Sequence, residues 1–161
     1  AHVPEIVFTN INYGDVELWG MDGSIFVFLG KNFSLDCTGS FLGKTGFYNF
    51  LTRDYDPINA PQYKLSGALT YMPDKGLNWS LSMRHIPTFK WAAGVHFGTI
   101  ESYTVLDGGI GYNFQHDLGD SFSRTYSILL NVSNINNHFH NEIIGGPELG
   151  RHLTLKLTAR I

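Results

Sequence analysis

Residues 138–142 read His-Phe-His-Asn-Glu, and two imidazoles with a carboxylate in so short a run are side chains a divalent metal takes as ligands. A metal site needs three or four such ligands fixed around one point, and no second cluster in the chain completes the set. Polar residues on an exposed loop account for the same run, and for His85 and His96 beside the stretch 86–101. Ser, His and Asp all occur, yet no Gly-x-Ser-x-Gly elbow presents a nucleophile. Arg53, Asp54 and Tyr55 put a cation, a carboxylate and a phenol side by side in the polar, aromatic-rich stretch 43–61. They are the candidate ligand-binding residues, and a merely solvated loop tip explains them too. Cys37 is the single cysteine, so no internal disulfide framework exists, and a small apolar residue on a strand face describes it better than a reactive thiol. The chemistry in sight is recognition by a loop. No catalytic residue, metal or cofactor is expected, and the reading is that of a non-enzyme.

What must position that loop is a set of strands. The final stretch, RHLTLKLTARI (residues 151–161), alternates Leu153, Leu155, Leu157, Ala159 and Ile161 with His152, Thr154, Lys156, Thr158 and Arg160. Period-two alternation puts the apolar side chains on one strand face and the polar ones on the other. The same pattern predicts strands over Phe33–Phe41, Tyr63–Tyr71, Leu77–Arg84, Tyr103–Phe114 and Thr125–Ser133, with Leu129 as a misfit; Asp15–Leu29 reads as a long extended segment and Val3–Thr9 as a short strand. Gly20 and Gly23 read as bulge or bend points in the first long strand. Pro73-Asp74-Lys75-Gly76 is a tight turn, since Pro fixes φ and Gly takes the left-handed position.

The connections are sorted. After Leu29 they run short, long, short, long, moderate, long, with 43–61, 86–101 and 135–150 as the long loops. Transmembrane barrels have short turns at one end and long loops at the other. Charged residues make up 16% of the chain, well below the roughly 25% of soluble domains, and no apolar run nears the ~18 residues of a spanning helix. Alternation dilutes apolar residues in just this way in a membrane barrel. A net charge of -3 without a basic cluster gives nucleic acid no footing. Tyr63, Tyr71, Tyr103, Tyr112 and Phe114 fall near strand ends, where an aromatic girdle belongs. The fold class is therefore all-β, an antiparallel transmembrane β-barrel of about eight strands. A soluble lipocalin-like barrel has the same period with its apolar face turned inward, and a freestanding eight-stranded membrane barrel with a structural or adhesive role is the other alternative. Three Asn-x-Ser sequons, at Asn32, Asn78 and Asn131, fall in or beside predicted strands and read as chance matches.

Several segments, in order, carry a family likeness. They are YGDVELWGMDGSIFVFL (13–29), INAPQYKLSGALTYMPDKGLNWSLSMR (58–84), FGTIESYTVLDGGIGYNF (97–114), LLNVSNINNHFHNE (129–142) and GGPELGRHLTLKLTARI (145–161). Together they resemble the C-terminal barrel of TonB-dependent outer-membrane receptors. The resemblance implies that residues 1–161 form the last part of a 22-stranded barrel in a bacterial outer membrane, with nothing resembling a plug domain or a TonB box. It implies uptake of a scarce ligand such as a siderophore, vitamin, saccharide or peptide. The implied partners are outer-membrane lipid, the remaining barrel strands and plug from the same or another chain, and indirectly the TonB system. The chain ends in Ile161, where the family usually ends in an aromatic. No signal peptide is visible at the start.

Overall fold

The computed structural model describes residues 15–117 and 123–160. Every regular element among them is a strand: β1 (Gly20–Leu29), β2 (Phe33–Leu42), β3 (Gly46–Asn49), β4 (Asp54–Pro57), β5 (Tyr63–Tyr71), β6 (Gly76–Ile86), β7 (Phe89–Ala93), β8 (His96–Ile100), β9 (Tyr103–Asp117), β10 (Ser123–Ser133) and β11 (His152–Arg160). No described helix is long and apolar enough to cross a membrane. Seven strands form one antiparallel sheet in the order β1-β2-β5-β6-β9-β10-β11, and β3–β4 and β7–β8 are separate hairpins. The expected strand Val3–Thr9, the turn after it, Ile161 and residues 118–122 of the connection between β9 and β10 lie outside the described residues.

Register decides whether seven alternating strands make two clean faces, because a slip of one residue flips a whole strand. Here every neighbouring pair is in phase. Ile25 lies opposite Cys37, Cys37 opposite Gly67, Gly67 opposite Met83 and Met83 opposite Leu106. Further along, Ile110 lies opposite Leu130 and Leu130 opposite Leu155. The apolar sets of β2, β5, β6, β9, β10 and β11 thus share one face with Met21, Ile25, Val27 and Leu29 of β1, while Asp36, Ser66, Ser82, Asp107, Asn131 and Thr154 share the other, where Phe26 and Phe28 of β1 also lie. On the apolar face Leu153, Leu155 and Leu157 keep 61%, 64% and 69% of their surface exposed. That is the reverse of a soluble core.

The apolar band has aromatic borders. Phe33 and Tyr71 meet at 4.6 Å, Tyr71 and Trp79 at 6.3 Å, and Phe114 and Tyr126 at 5.2 Å, all near the short-turn end. At the long-loop end Phe41 meets Trp19 at 5.7 Å and Tyr63 meets His85 at 6.0 Å. Tyr63 and Tyr71 are eight steps apart on β5. Eight steps are about 26 Å along the strand and about 20 Å along the normal at a tilt of ~40°. With the rings extending beyond both ends, that matches an apolar band about 25 Å tall.

Three sequence expectations are corrected. Tyr103 is not part of the girdle: it has the parity of Val105 and Asp107, so it points to the polar face, where it is 6% exposed. Gly20 and Gly23 make no bulge, since β1 and β2 pair without interruption from Gly20↔Leu42 to Leu29↔Phe33. Gly20 is a close-approach residue instead, because a Cβ there would sit 2.8 Å from the Phe41 carbonyl oxygen. The loops 43–61 and 86–101 are not irregular: each carries a hairpin. Their strands have only four or five residues, too few for alternation to register. Leu129, the misfit, does face the polar side, opposite Gly111. A Cβ on Gly111 would come within 3.1 Å of Leu129 Cδ1 and 2.7 Å of Asn78 Oδ1, so the missing side chain is the space Leu129 fills. The turns match expectation: Gly30 and Gly76 take φ of +82° and +93°.

Candidate functional site

The short turns lie at one end of the sheet, and the three long connections collect at the other. There they pack rather than trail. Ile86, Ile100, Tyr103 and Val105 form a small buried cluster, with Phe89, Trp91 and Ile144 against it. The cluster therefore joins β6, β7, β8, β9 and the 134–151 loop on the polar-face side of the sheet.

Each loop is closed by an asparagine. Asn49, 1% exposed, accepts from the Leu51 and Thr52 N–H groups at 2.9 and 3.4 Å and donates to Asp56 Oδ2 at 2.7 Å. This ties both strands of the β3–β4 hairpin to its tip. Asn59, at φ +59°, donates through Nδ2 to the Ala92 carbonyl at 2.8 Å and accepts from the Ala92 N–H at 2.7 Å. An amide side chain thus pairs with β7 as another strand would. Asn134, 3% exposed at φ +57°, accepts from the His138 N–H and donates to the His138 carbonyl, both at 2.9 Å. Asn tolerates the left-handed region better than other non-glycine residues, and here its amide also satisfies backbone groups the turn would orphan.

The 134–151 loop is fastened further by charge and stacking. Arg84 Nη2 donates to Glu142 Oε1 at 3.2 Å. His140 stacks on Tyr103 at 4.2 Å and is 8% exposed. Its Nδ1 lies 2.9 Å from the His138 carbonyl, and Nε2, 3.8 Å from Glu142 Oε1, has no hydrogen-bond partner. The run His138–Glu142 therefore anchors the loop. No group of three or more His, Cys, Asp or Glu among the described residues is arranged to hold a metal.

Two hollows and a groove result. On the polar face, hollows of about 380 and 430 Å³ are lined by residues such as Asp36, Ser66 and Asp107, and Ser24, Thr38 and Lys64. Between the two hairpins lies a groove of about 690 Å³, with Lys44, Tyr55 and Asp56 on one side and Thr88, Phe89 and Lys90 on the other.

Comparison with known families fits this wall-and-loop arrangement. The family model described as TonB dependent receptor-like, beta-barrel, matches residues 2–135. The chain belongs to that family. It is an outer-membrane family, so the apolar face is the lipid side of a barrel wall and the polar face is the lumen side. The match covers the strands through β10; the 136–151 loop and β11 lie past it. Neither the curated proteins nor the solved structures contain a match.

The predicted trio is divided by the barrel's loop structure. Arg53 occupies the β3–β4 tip at φ +58°, with its N–H bonded to the Asn49 carbonyl at 2.8 Å. Asp54 Oδ1 accepts from the Tyr55 N–H at 2.7 Å, a local turn contact. Only Tyr55 reaches the groove, where its ring meets Tyr48 edge-on at 5.5 Å. Lys44, Thr88 and Lys90 were not visible as site residues. Nothing local marks them, and only the hairpins' pairing and the Asn59 bridge bring the two sides together.

Proposed function

We propose that the chain forms wall and loops of a receptor that takes up a scarce ligand across the bacterial outer membrane. In this reading the long-loop end faces outward, the short turns face the periplasm, and the hairpins make first contact with the ligand, Tyr55 among the contact residues and Arg53 and Asp54 at the tip beside it. The observation that carries it is the register, which aligns the wall strands' apolar residues into one aromatic-bordered band and gathers the three long loops at one end. The chain's part is mechanically passive: transport energy comes from the TonB system acting on a plug, and the lumen face is the surface a plug meets. Among the described residues β1 and β11 are the edges of the sheet. Unpaired edges are not tolerated in lipid, so further strands of the receptor pair with both.

Two measurements test this reading. Protease added to intact cells is expected to cut the β3–β4 and β7–β8 hairpins and spare the turns at 30–32 and 72–75; the opposite pattern refutes the orientation. Cells with and without the receptor are then compared for depletion of compounds from the medium, with and without a protonophore. Uptake predicts at least one compound whose depletion needs both receptor and proton gradient, and none meeting both conditions overturns the transport reading.

A further inference from the structure

We propose that the groove between the β3–β4 and β7–β8 hairpins is a binding site for a small anionic, hydroxyl-rich molecule of the acidic-sugar class, held by Lys44 and Lys90. This rests on the reading of the long-loop end as the ligand-binding end and names the chemistry of the ligand.

The groove is built. Its volume of about 690 Å³ lies within the usual range of small-molecule sites, roughly 300–1,000 Å³. Its two sides belong to different hairpins, and the Asn59 amide locks one to the other through both backbone groups of Ala92. Phe89, on the groove, is also packed against the buried cluster below. The site is thus formed before any ligand arrives, which removes an ordering cost from binding.

Its net charge is positive, two lysines against one aspartate. Lys44 and Lys90 lie on opposite sides, and neither has an ion-pair partner among the described residues. The one carboxylate on the groove, Asp56, already accepts from Asn49 at 2.7 Å. In a chain of 14 acidic and 11 basic residues, a groove with two unpaired ammonium groups and one engaged carboxylate is a local reversal of sign. Two ammonium groups across a cleft favour a carboxylate or phosphate between them.

The remaining lining selects what carries the anion. The Thr45, Thr88 and Thr99 hydroxyls both donate and accept, as sugar hydroxyls require. The Thr88 hydroxyl accepts from the Ser102 N–H at 3.0 Å and keeps its proton for a ligand. Tyr55 and Phe89 add aromatic carbon to the lining, the kind of surface a pyranose face packs on.

The test is direct titration of the whole receptor that contains this chain, in detergent micelles, with digalacturonic acid, galactose 6-phosphate and the neutral disaccharide lactose. Both anions are expected to bind, with affinity falling as salt rises, and lactose at least about tenfold more weakly. The carboxylate and phosphate arms separate the two anion sources, and binding of either supports the site. Lys44→Gln/Lys90→Gln is expected to weaken anion binding about tenfold or more, Lys44→Arg/Lys90→Arg to retain it, and Asn59→Ala to weaken it with the wall strands intact by circular dichroism. Binding of lactose as tight as the anions, anion affinity unchanged in the double glutamine variant, or no binding of either anion each overturns the proposal. Protease topology and medium depletion do not involve these lysines, so failure here is distinguishable from failure of the uptake reading.

Discussion

Leu81 sits mid-strand in β6, on the apolar face, between Leu69 of β5 and Gly108 of β9. Ser82, the next residue, lies between Ala68 and Asp107 on the polar face. Leu81 keeps 49% of its surface exposed. That is roughly 85 Å² of hydrocarbon, worth about 2 kcal/mol at ~25 cal/mol per Å² once lipid covers it. Leu81→Arg loses this and adds a charge near the bilayer middle, for a total of about 2–4 kcal/mol. The unfolding equilibrium constant then rises roughly 30- to 700-fold, at ~1.4 kcal/mol per factor of ten. Ser82→Arg, one residue away, faces the lumen beside Asp107 and is expected to change stability by less than about 0.5 kcal/mol. Leu81→Trp separates lipid from a soluble core. A closed core gains strain of about 1–3 kcal/mol from the added volume, whereas lipid accommodates the ring at almost no cost. Urea unfolding of the whole receptor from lipid vesicles reads all three variants. A destabilisation above about 1 kcal/mol for Leu81→Trp, or none for Leu81→Arg, would show that the apolar face does not meet lipid.

Three further outcomes follow from the same geometry. Cys37 is exposed on the apolar face, so in vesicles a charged methanethiosulfonate should leave it unmodified while a lipophilic pyrene maleimide labels it slowly, and both should react once urea unfolds the chain; rapid modification by the charged reagent in intact vesicles counts against the assignment of faces. Asn134→Ala removes two hydrogen bonds and leaves alanine at φ +57°. A cost of about 2–4 kcal/mol is expected from these losses together, seen as faster amide exchange at His138 and through the 134–151 loop with the wall strands still protected. Asn49→Ala unties the β3–β4 tip, so limited proteolysis between Leu51 and Arg53 should accelerate several-fold with no change at β7–β8; equal acceleration in both hairpins would mean the tip is not held by Asn49.

The sequence by itself determined the wall. Six long alternating segments each had one chemically sensible way to face, whereas Ile25–Leu29 is apolar throughout and takes its facing from its pairing with β2; the alternation of short and long connections followed from where Gly30, Pro73 and Gly76 stand. Period-two patterning is local, so it can be read strand by strand without knowing any partner. Two places showed the limit of that reading. Nearness to a strand end groups Tyr103 with the girdle, but its parity with Asp107 puts it on the opposite face. Leu129 broke the pattern because its reason lies on the neighbouring strand, at Gly111.

What only the tertiary structure decided was the loop end. β3, β4, β7 and β8 are too short to carry a periodic signal, and they exist because Asn49 closes one tip and Asn59 bridges to the other hairpin. Of the three residues chosen from chemistry alone, Arg53 and Asp54 serve the turn, and Tyr55 alone lines a space a ligand can enter. Lys44 and Lys90 are 46 positions apart and become two sides of one groove only after three separate pairings are made. A binding site assembled from non-local contacts leaves no mark in local sequence, whereas a strand facing lipid on one side and water on the other writes its environment into every second residue.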